Sequence, residues 1–502
     1  MDVLAQIGGP VAALGIVGLL LGRDRVARLI GLALAVCGGL LAAAAFSPHA
    51  GPASLALVVL IVLVIVAALF FSLQRWPWLL PVLALACVPA RLPFTLSDSN
   101  FNSFILLYLV ITAAMLVLAL EIYRGDERSR EFGPLAWPLA AFVVWSALSL
   151  IWSVDIRRGA TELDAALLPF TFLALALARL RWSRRLLQGL LLQFVSMAFV
   201  FAAIGVYQYT TRDIFWNPKV INSNAYAPFF RVNSVFWDPS IYGRFLVLAI
   251  LACLALVVTR AERPWLGVSA CMIGALWIGL ALSFSQSSFT ALVVGVLAAA
   301  LVAWRRSAAI PLLVVAMLIV PVGLLTPQAR AKVLDGKKRD LSSITSARST
   351  LVEHGIRIAV EHPVIGVGIG GFRRAYADLT GMSGKNLRKA ASHTTPVTVA
   401  AEEGIVGLAL FLWLLSTGLV VTFRRAGPTF SGRTQLICAL ALTAIAVHSL
   451  FYADFFEDPM TWGILAIAVA SPLALSGGKS ATSGDVAGSS GVGTPPHPPQ
   501  RS

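Results

Sequence analysis

The chain has 502 residues, of which 58% are hydrophobic and only 13% are charged. That balance excludes a soluble globular protein of this length, which needs far more polar surface, and makes lipid the solvent for much of the chain. The net charge of +15 would indicate nucleic acid in a soluble protein. Cytoplasmic loops of membrane proteins collect Lys and Arg, however, so a bilayer is the expected partner and nucleic acid is not.

Crossing a hydrocarbon core about 30 Å thick takes about 20 apolar residues. Such runs fall at 5–22, 27–46, 52–72, 77–91, 102–122, 134–152, 163–180 and 184–208. They continue at 241–259, 264–282, 285–304, 309–325, 396–422, 433–453 and 459–476. The expected fold is all-α: a polytopic transmembrane helical bundle of about 13–15 spans, with a long outer loop containing short helices. The first run follows Asp2 with no basic leader, which reads as a retained helix rather than a cleaved signal. Cys37, Cys87, Cys253, Cys271 and Cys438 all lie inside apolar runs. They read as packing residues, with no disulfide or zinc framework.

The short connections carry a directional signal. Arg23, Arg25 and Arg28; Arg75; Arg124, Arg128 and Arg130; Arg179, Arg181, Arg184 and Arg185; Arg260 and Arg263; Arg305 and Arg306; and Arg424, Arg425 and Arg433 all fall on one side if the spans alternate. The positive-inside bias makes that side cytoplasmic. Segments 92–101, 209–240 and 326–395 then lie outside. The Gly-, Ser- and Pro-rich tail from Ser476 reads as a disordered cytoplasmic extension. This divides the chain into N-terminal helices (1–144), a transmembrane domain with the outer loop 326–395 (145–475) and the tail (476–502).

The outer segments break the charge rule: 326–395 holds twelve Lys or Arg and five Asp or Glu. A solvated surface against lipid headgroups explains this; so does a site for a phosphate or diphosphate. Residues 347–361 read as a helix capped by Ser346, with Leu351, Val352, Gly355, Ile358 and Ala359 on its apolar face and Pro363 ending it. Arg348 sits in its first turn, where positive charge opposes the helix dipole, so a ligand or partner explains it better. Gly366-Val367-Gly368-Ile369-Gly370-Gly371 follows a helix and lacks a P-loop lysine, so it reads as a tight turn between two short helices. His393 precedes Thr395, a candidate cap, and Pro396, a first-turn proline, which places it at the mouth of a membrane helix. In 209–240, Asp238-Pro239 is a helix start. Arg231, among aromatics, is either a cation–π partner or an anion ligand.

Arg348, then His362-Pro363-Val364-Ile365-Gly366-Val367-Gly368-Ile369-Gly370-Gly371-Phe372, His393 and Glu402-Glu403-Gly404-Ile405-Val406-Gly407-Leu408 together resemble the signature of the O-antigen ligase/polymerase family. Arg231 with Asp238-Pro239 and Tyr242-Gly243, Ser149-Leu150-Ile151-Trp152-Ser153 with Asp155, and His448 with Pro459 and Trp462 are similar to its flanking motifs, so the likeness spans roughly 145–470. Two positions depart from the usual pattern. Thr394 stands where Asn often follows the His, and Ser285-Gln286-Ser287 stands where Ser-Arg is usual.

The resemblance implies a bacterial membrane glycosyltransferase of the cytoplasmic membrane, working at its outer face. The donor would be an undecaprenyl-diphosphate-linked glycan and the acceptor a lipid- or glycan-linked hydroxyl. Other polysaccharide-assembly membrane proteins are candidate partners. Arg231 and Arg348, and more weakly Arg357, would stabilise the leaving diphosphate. His393 would take the proton of the acceptor hydroxyl. Glu402 and Glu403, about two turns into a span, are functional candidates beside a structural role at the helix turn. The scheme needs no metal and no cofactor. The alternative is a transporter or flippase of lipid-linked oligosaccharide, which predicts inverted repeats or cationic residues deep in many spans.

Overall fold

The computed structural model describes residues 2–43, 52–90, 92–96, 99–125, 132–226, 229–303, 348–382 and 392–476. The expected run 309–325, the cap Ser346, Arg128, Arg130, Arg305, Arg306 and the tail after Ser476 lie outside these residues. The chain opens with α1 (Asp2–Leu21), α2 (Arg25–Ala43), α3 (Pro52–Arg75) and α4 (Leu79–Cys87), then an antiparallel hairpin of β1 (Leu92–Leu96) and β2 (Ser99–Ser103). Next come α5 (Ile105–Tyr123), α6 (Ala136–Ser149), α7 (Ile156–Glu162), a π turn (Leu163–Leu167), α8 (Leu168–Ala178) and α9 (Arg184–Thr211). They are followed by α10 (Pro218–Tyr226), α11 (Pro239–Val258), α12 (Arg263–Ser283) and α13 (Gln286–Ala303). The described chain ends with α14 (Arg348–Glu361), α15 (Phe372–Thr380), α16 (Thr395–Arg425), α17 (Phe430–His448) and α18 (Pro459–Ser476).

Among the described residues, eleven helices are long and apolar enough to cross a membrane, and Gln286–Val302 and Pro459–Ala470 are shorter apolar helices. The fold is a polytopic helical bundle, as expected. α11 lies at its centre, with Tyr242, Leu246, Val247, Ala249 and Leu251 fully covered. At the periphery, α3 exposes every residue from Leu57 to Ile65. Continuous apolar exposure of this kind suits contact with lipid. α1 and α2 pack backbone to backbone: a Cβ on Gly15 would lie 2.1 Å from the Ala35 nitrogen, and one on Gly38 2.2 Å from the Ala12 nitrogen. Small residues permit such approaches between membrane helices.

Several boundaries differ from the sequence reading. The run 77–91 holds only the nine-residue α4, too short at 1.5 Å per residue to span a bilayer alone. Segment 92–101 is mostly hairpin, a local departure from an all-α chain. Segment 209–240 contains the short helix α10. The last helices begin and end close to where the apolar runs do, except that α17 stops at His448.

The arginine-bearing connections meet at one end of the bundle. Arg28 Nε donates to the Gly22 carbonyl (3.0 Å), and the Arg25 guanidinium lies 4.7 Å from the Tyr123 ring. Arg179 pairs with Glu121 (3.1 Å) and Arg184 with Glu262 (2.8 Å), while Arg184 also covers the Phe430 ring at 5.1 Å. Five connections far apart in sequence therefore share a face, and it is the one the charge bias assigns to the cytoplasm.

Candidate functional site

The opposite end is built around the glycine turn. Gly366, Gly368 and Gly370 have φ of +67, +85 and +73, backbone that favours glycine. A side chain would have no room there: a Cβ on Gly368 would lie 2.3 Å from Ser153 Cα. The turn is stapled to the segment after α6. Ser149 Oγ accepts from Ile369 N (3.0 Å), Ser153 Oγ donates to the Ile369 carbonyl (2.8 Å), and Val154 N donates to the Val367 carbonyl (3.1 Å). Trp152 Nε1 donates to the Ile365 carbonyl (3.1 Å). Two motifs more than 200 residues apart are thus one structural unit. α14 and α15 flank the turn, and Ile358, Val367, Phe372, Tyr376 and Ala401 form their own small core.

The same turn breaks α16. Gly404 has φ +69 and ψ −167, a conformation open essentially only to glycine. A Cβ there would lie 2.1 Å from the Val364 carbonyl oxygen. The interrupted hydrogen bonding is taken up across the break, with Ile405 N donating to the Pro363 carbonyl (2.8 Å) and Gly368 N to the Glu402 carbonyl (2.7 Å). The 21 residues from Ile405 to Arg425 suffice for a span of about 30 Å. Glu402 and Glu403 therefore lie about two turns into α16, as read from the sequence, and immediately before its break at Gly404.

Polar contacts tie Arg231 to the serine turn, that turn to His448, and the residues after His448 to the start of α16. Arg231 is held by Asn224, whose Oδ1 accepts from its backbone N (3.0 Å) and whose Nδ2 donates to its carbonyl (2.9 Å). Its Nε donates to the Ser283 carbonyl (3.2 Å), at the turn where Ser285-Gln286-Ser287 stands in place of Ser-Arg. A guanidinium reaches that turn nonetheless. Ser287 Oγ lies 3.1 Å from His448 Nε2, at the end of α17. The residues after His448 hold the start of α16: Thr395 N donates to the Ser449 carbonyl (2.8 Å) and Thr394 Oγ1 to the Leu450 carbonyl (3.0 Å). The cap position of α16 is Thr394, one residue before the expected Thr395. His393 precedes it, half-buried, with a left-handed backbone (φ +56). Non-glycine residues in that region are held by their surroundings and concentrate at functional sites.

Arg348 opens α14. Gly355 packs on Val397, and the Pro363 carbonyl accepts from Ile405 N; both pairings share one offset, so α14 runs parallel to the start of α16. Continued back along both axes, that offset sets Arg348 on the side from which His393 enters α16. Arg357 lies on the exposed face, its Nε 3.0 Å from Glu361 Oε1. Glu402 has a structural task, since its Oε1 accepts from Phe372 N (3.0 Å) at the start of α15. Glu403 is 5% exposed, and its Oε2 has no hydrogen-bond partner. Asp238 caps α11 as read, accepting from Ser240 N at 2.7 Å with Pro239 at the first position.

Three features escaped the sequence reading. Arg244, one turn into α11, is 3% exposed and bridges Asp454 (2.5 Å) and Asp458 (2.7 Å). An ionisable residue inside an apolar run was the available signal. The contact between Ser287 and His448, each already named as a motif position, had no local signal, because it joins positions 161 residues apart. Glu162, salt-bridged to Arg158 at 3.2 Å, marks the π turn, a deviation common at functional sites. The Arg231 guanidinium thus lies at the serine turn and His393 just before α16, while a separate cleft lined by Glu162, Glu402, Glu403 and Glu457 lies at the start of that helix.

Residues 270–412 match the profile of the O-antigen ligase family. No curated protein matches the chain.

Proposed function

We propose that this chain, whose residues 270–412 are an O-antigen ligase domain, is a metal-independent glycosyltransferase. It moves glycan from an undecaprenyl-diphosphate donor to an acceptor hydroxyl at the outer face of the cytoplasmic membrane. The observation that carries this reading is the coincidence of family and site. The matched stretch supplies the 283–288 turn, α14, the glycine turn, His393 and the Gly404 break, which together form the polar end opposite the arginine-bearing connections.

The acceptor oxygen attacks the anomeric carbon while the bond from that carbon to the diphosphate oxygen breaks. The leaving group departs with the electron pair and needs its charge stabilised more than it needs a proton. Arginine suits this through a permanent charge and forked donors, most effectively where water is scarce. Arg231 and Arg348 take that role. Arg357 takes a lesser one, because it already serves Glu361. The His393 imidazole accepts the hydroxyl proton.

Transfer measured in proteoliposomes containing a synthetic undecaprenyl-diphosphate glycan tests this. His393→Ala should lower turnover by about 10²–10⁴ while donor binding persists. A variant with wild-type turnover would overturn the base assignment, and wild-type protein that carries the donor across the bilayer without transferring glycan would favour a flippase.

A further inference from the structure

We propose that the apolar groove between α9, α17 and α18 holds the acyl chains of an anionic phospholipid from the leaflet at the arginine-bearing end, with its phosphate on Arg433. The inference stands apart from the transferase reading, and lipid binding can be measured without transfer.

The groove has about 1390 Å³ of empty space and is partly open. Helix periodicity lays it along single helix faces. Phe430, Arg433, Ile437 and Ala441 of α17 line it at spacings of three or four residues, and so do Arg184, Leu187, Leu191 and Phe194 of α9. Met460 and Ile464 of α18 supply a third side. The charged, amide and hydroxyl side chains of the lining are confined to one end. Arg184, Gln188, Glu262, Arg433 and Thr434 all lie within about two turns of the start of α9, α12 or α17. The deeper walls are apolar. Water finds no partners there, and a void left empty forfeits dispersion contacts, so hydrocarbon is the fitting occupant.

Depth matches one leaflet. From Phe430 to Ala441 the groove follows about 16 Å of helix, and from Arg184 to Phe194 about 15 Å, at a rise of about 1.5 Å per residue. Half of a hydrocarbon core about 30 Å thick has the same length. Trp182 and Trp265 line the polar end, the level at which indole rings sit in a bilayer.

Charge selects the headgroup. Arg184 pairs with Glu262 (2.8 Å), and its guanidinium lies 5.1 Å from the Phe430 ring, which ties α9 to α17 at the mouth. Arg433, one turn inward from Phe430, is half-buried; its Nε has no hydrogen-bond partner and no described carboxylate pairs with it. Exposed Arg181, Arg185, Arg260 and Arg263 flank the lining residues Trp182, Arg184, Ala261 and Glu262 in sequence. One uncompensated guanidinium in basic surroundings selects an anionic phosphodiester over a zwitterionic lipid. The other end differs. Leu248 and Met460 also wall the small space at Arg244, whose charge Asp454 (2.5 Å) and Asp458 (2.7 Å) take up. Among the described lining residues, that end offers no cation without a carboxylate.

The test measures binding of dioleoylphosphatidylglycerol and dioleoylphosphatidylcholine to delipidated full-length protein in detergent, by native mass spectrometry. Phosphatidylglycerol should bind about fivefold more tightly, the effect of one basic residue near an anionic lipid. Arg433→Gln should remove most of that preference, whereas Arg181→Gln, on the exposed surface, should leave it within about twofold. Gly463→Leu should weaken both lipids, because a Cβ at Gly463 meets only Leu177 Cδ1 (3.9 Å) and a longer side chain occupies the groove. Each variant should unfold cooperatively in the absence of lipid. Equal wild-type affinities for the two lipids overturn the proposal, as does a preference that survives Arg433→Gln or falls equally with Arg181→Gln. Indifference of both lipids to a folded Gly463→Leu protein also overturns it. So does displacement of phosphatidylglycerol by an equal concentration of undecaprenol, which would assign the groove to a polyprenyl tail.

Discussion

Two ion pairs, one at each end of the bundle, hold the same kinds of charged residue in opposite surroundings. At the arginine-bearing end, Arg184 and Glu262 pair at 2.8 Å with 53% and 62% of their side chains exposed. At the other end, Arg244 and Asp454 pair at 2.5 Å with 3% and 2% exposed. Exposed pairs contribute little individually, and their arginines matter collectively, through the direction in which the chain inserts. Buried charges must be paired and fixed, and losing one partner strands the other. Charge thus orients the protein at one end and fixes geometry at the other.

Substitutions at both ends can break or sharpen this contrast. Arg244→Ala should cost about 3–5 kcal/mol, because Asp454 and Asp458 lose their shared partner. Thermal unfolding in detergent reads this directly, and a loss no larger than that of Arg184→Ala would erase the distinction between the ends. Gly404→Ala should cost about 1–3 kcal/mol from backbone strain alone, with further cost from the Val364 carbonyl. Retention of the wild-type unfolding midpoint would mean that the break in α16 is not obligatory. Arg231→Lys should slow transfer by about tenfold or more if forked diphosphate contact matters, whereas Arg357→Ala should slow it by no more than about fivefold, its pair with Glu361 being exposed. Equal losses at the two positions would point to general surface charge. Arg184→Ala should cost less than about 1 kcal/mol, measured in the same unfolding assay.

Much of this was legible in the chain. Run length and the arginine pattern yielded the helices and their alternation, because bilayer thickness acts on every span in the same way. Where the run was short or rich in turn residues, as at 77–91 and 92–103, length alone misjudged it. The glycine turn was read correctly as a turn between short helices, but the partners it staples were not: Ser149, Ser153 and Gly404 are distant in sequence and meet only in space. Asp238 was legible because capping is local. Arg244 broke a local rule inside an apolar run and could have been found by it. The unpaired state of Arg433 could not, since a missing hydrogen-bond partner is a property of packing.

The sequence by itself determined that the chain is a helical membrane protein, which loops share a side, and which residues carry the family signature. The first two follow from composition, periodicity and the placement of the arginines, quantities that each segment carries alone, and the third from the resemblance to a known family. Tertiary structure decided that Glu402 caps a neighbouring helix while Glu403 lines a cleft, and that Arg231 reaches the serine turn. It also decided that His448 links that turn to the segment holding His393. Each of these depends on which remote groups compete for the same hydrogen bond or the same space, and only the folded chain resolves that competition.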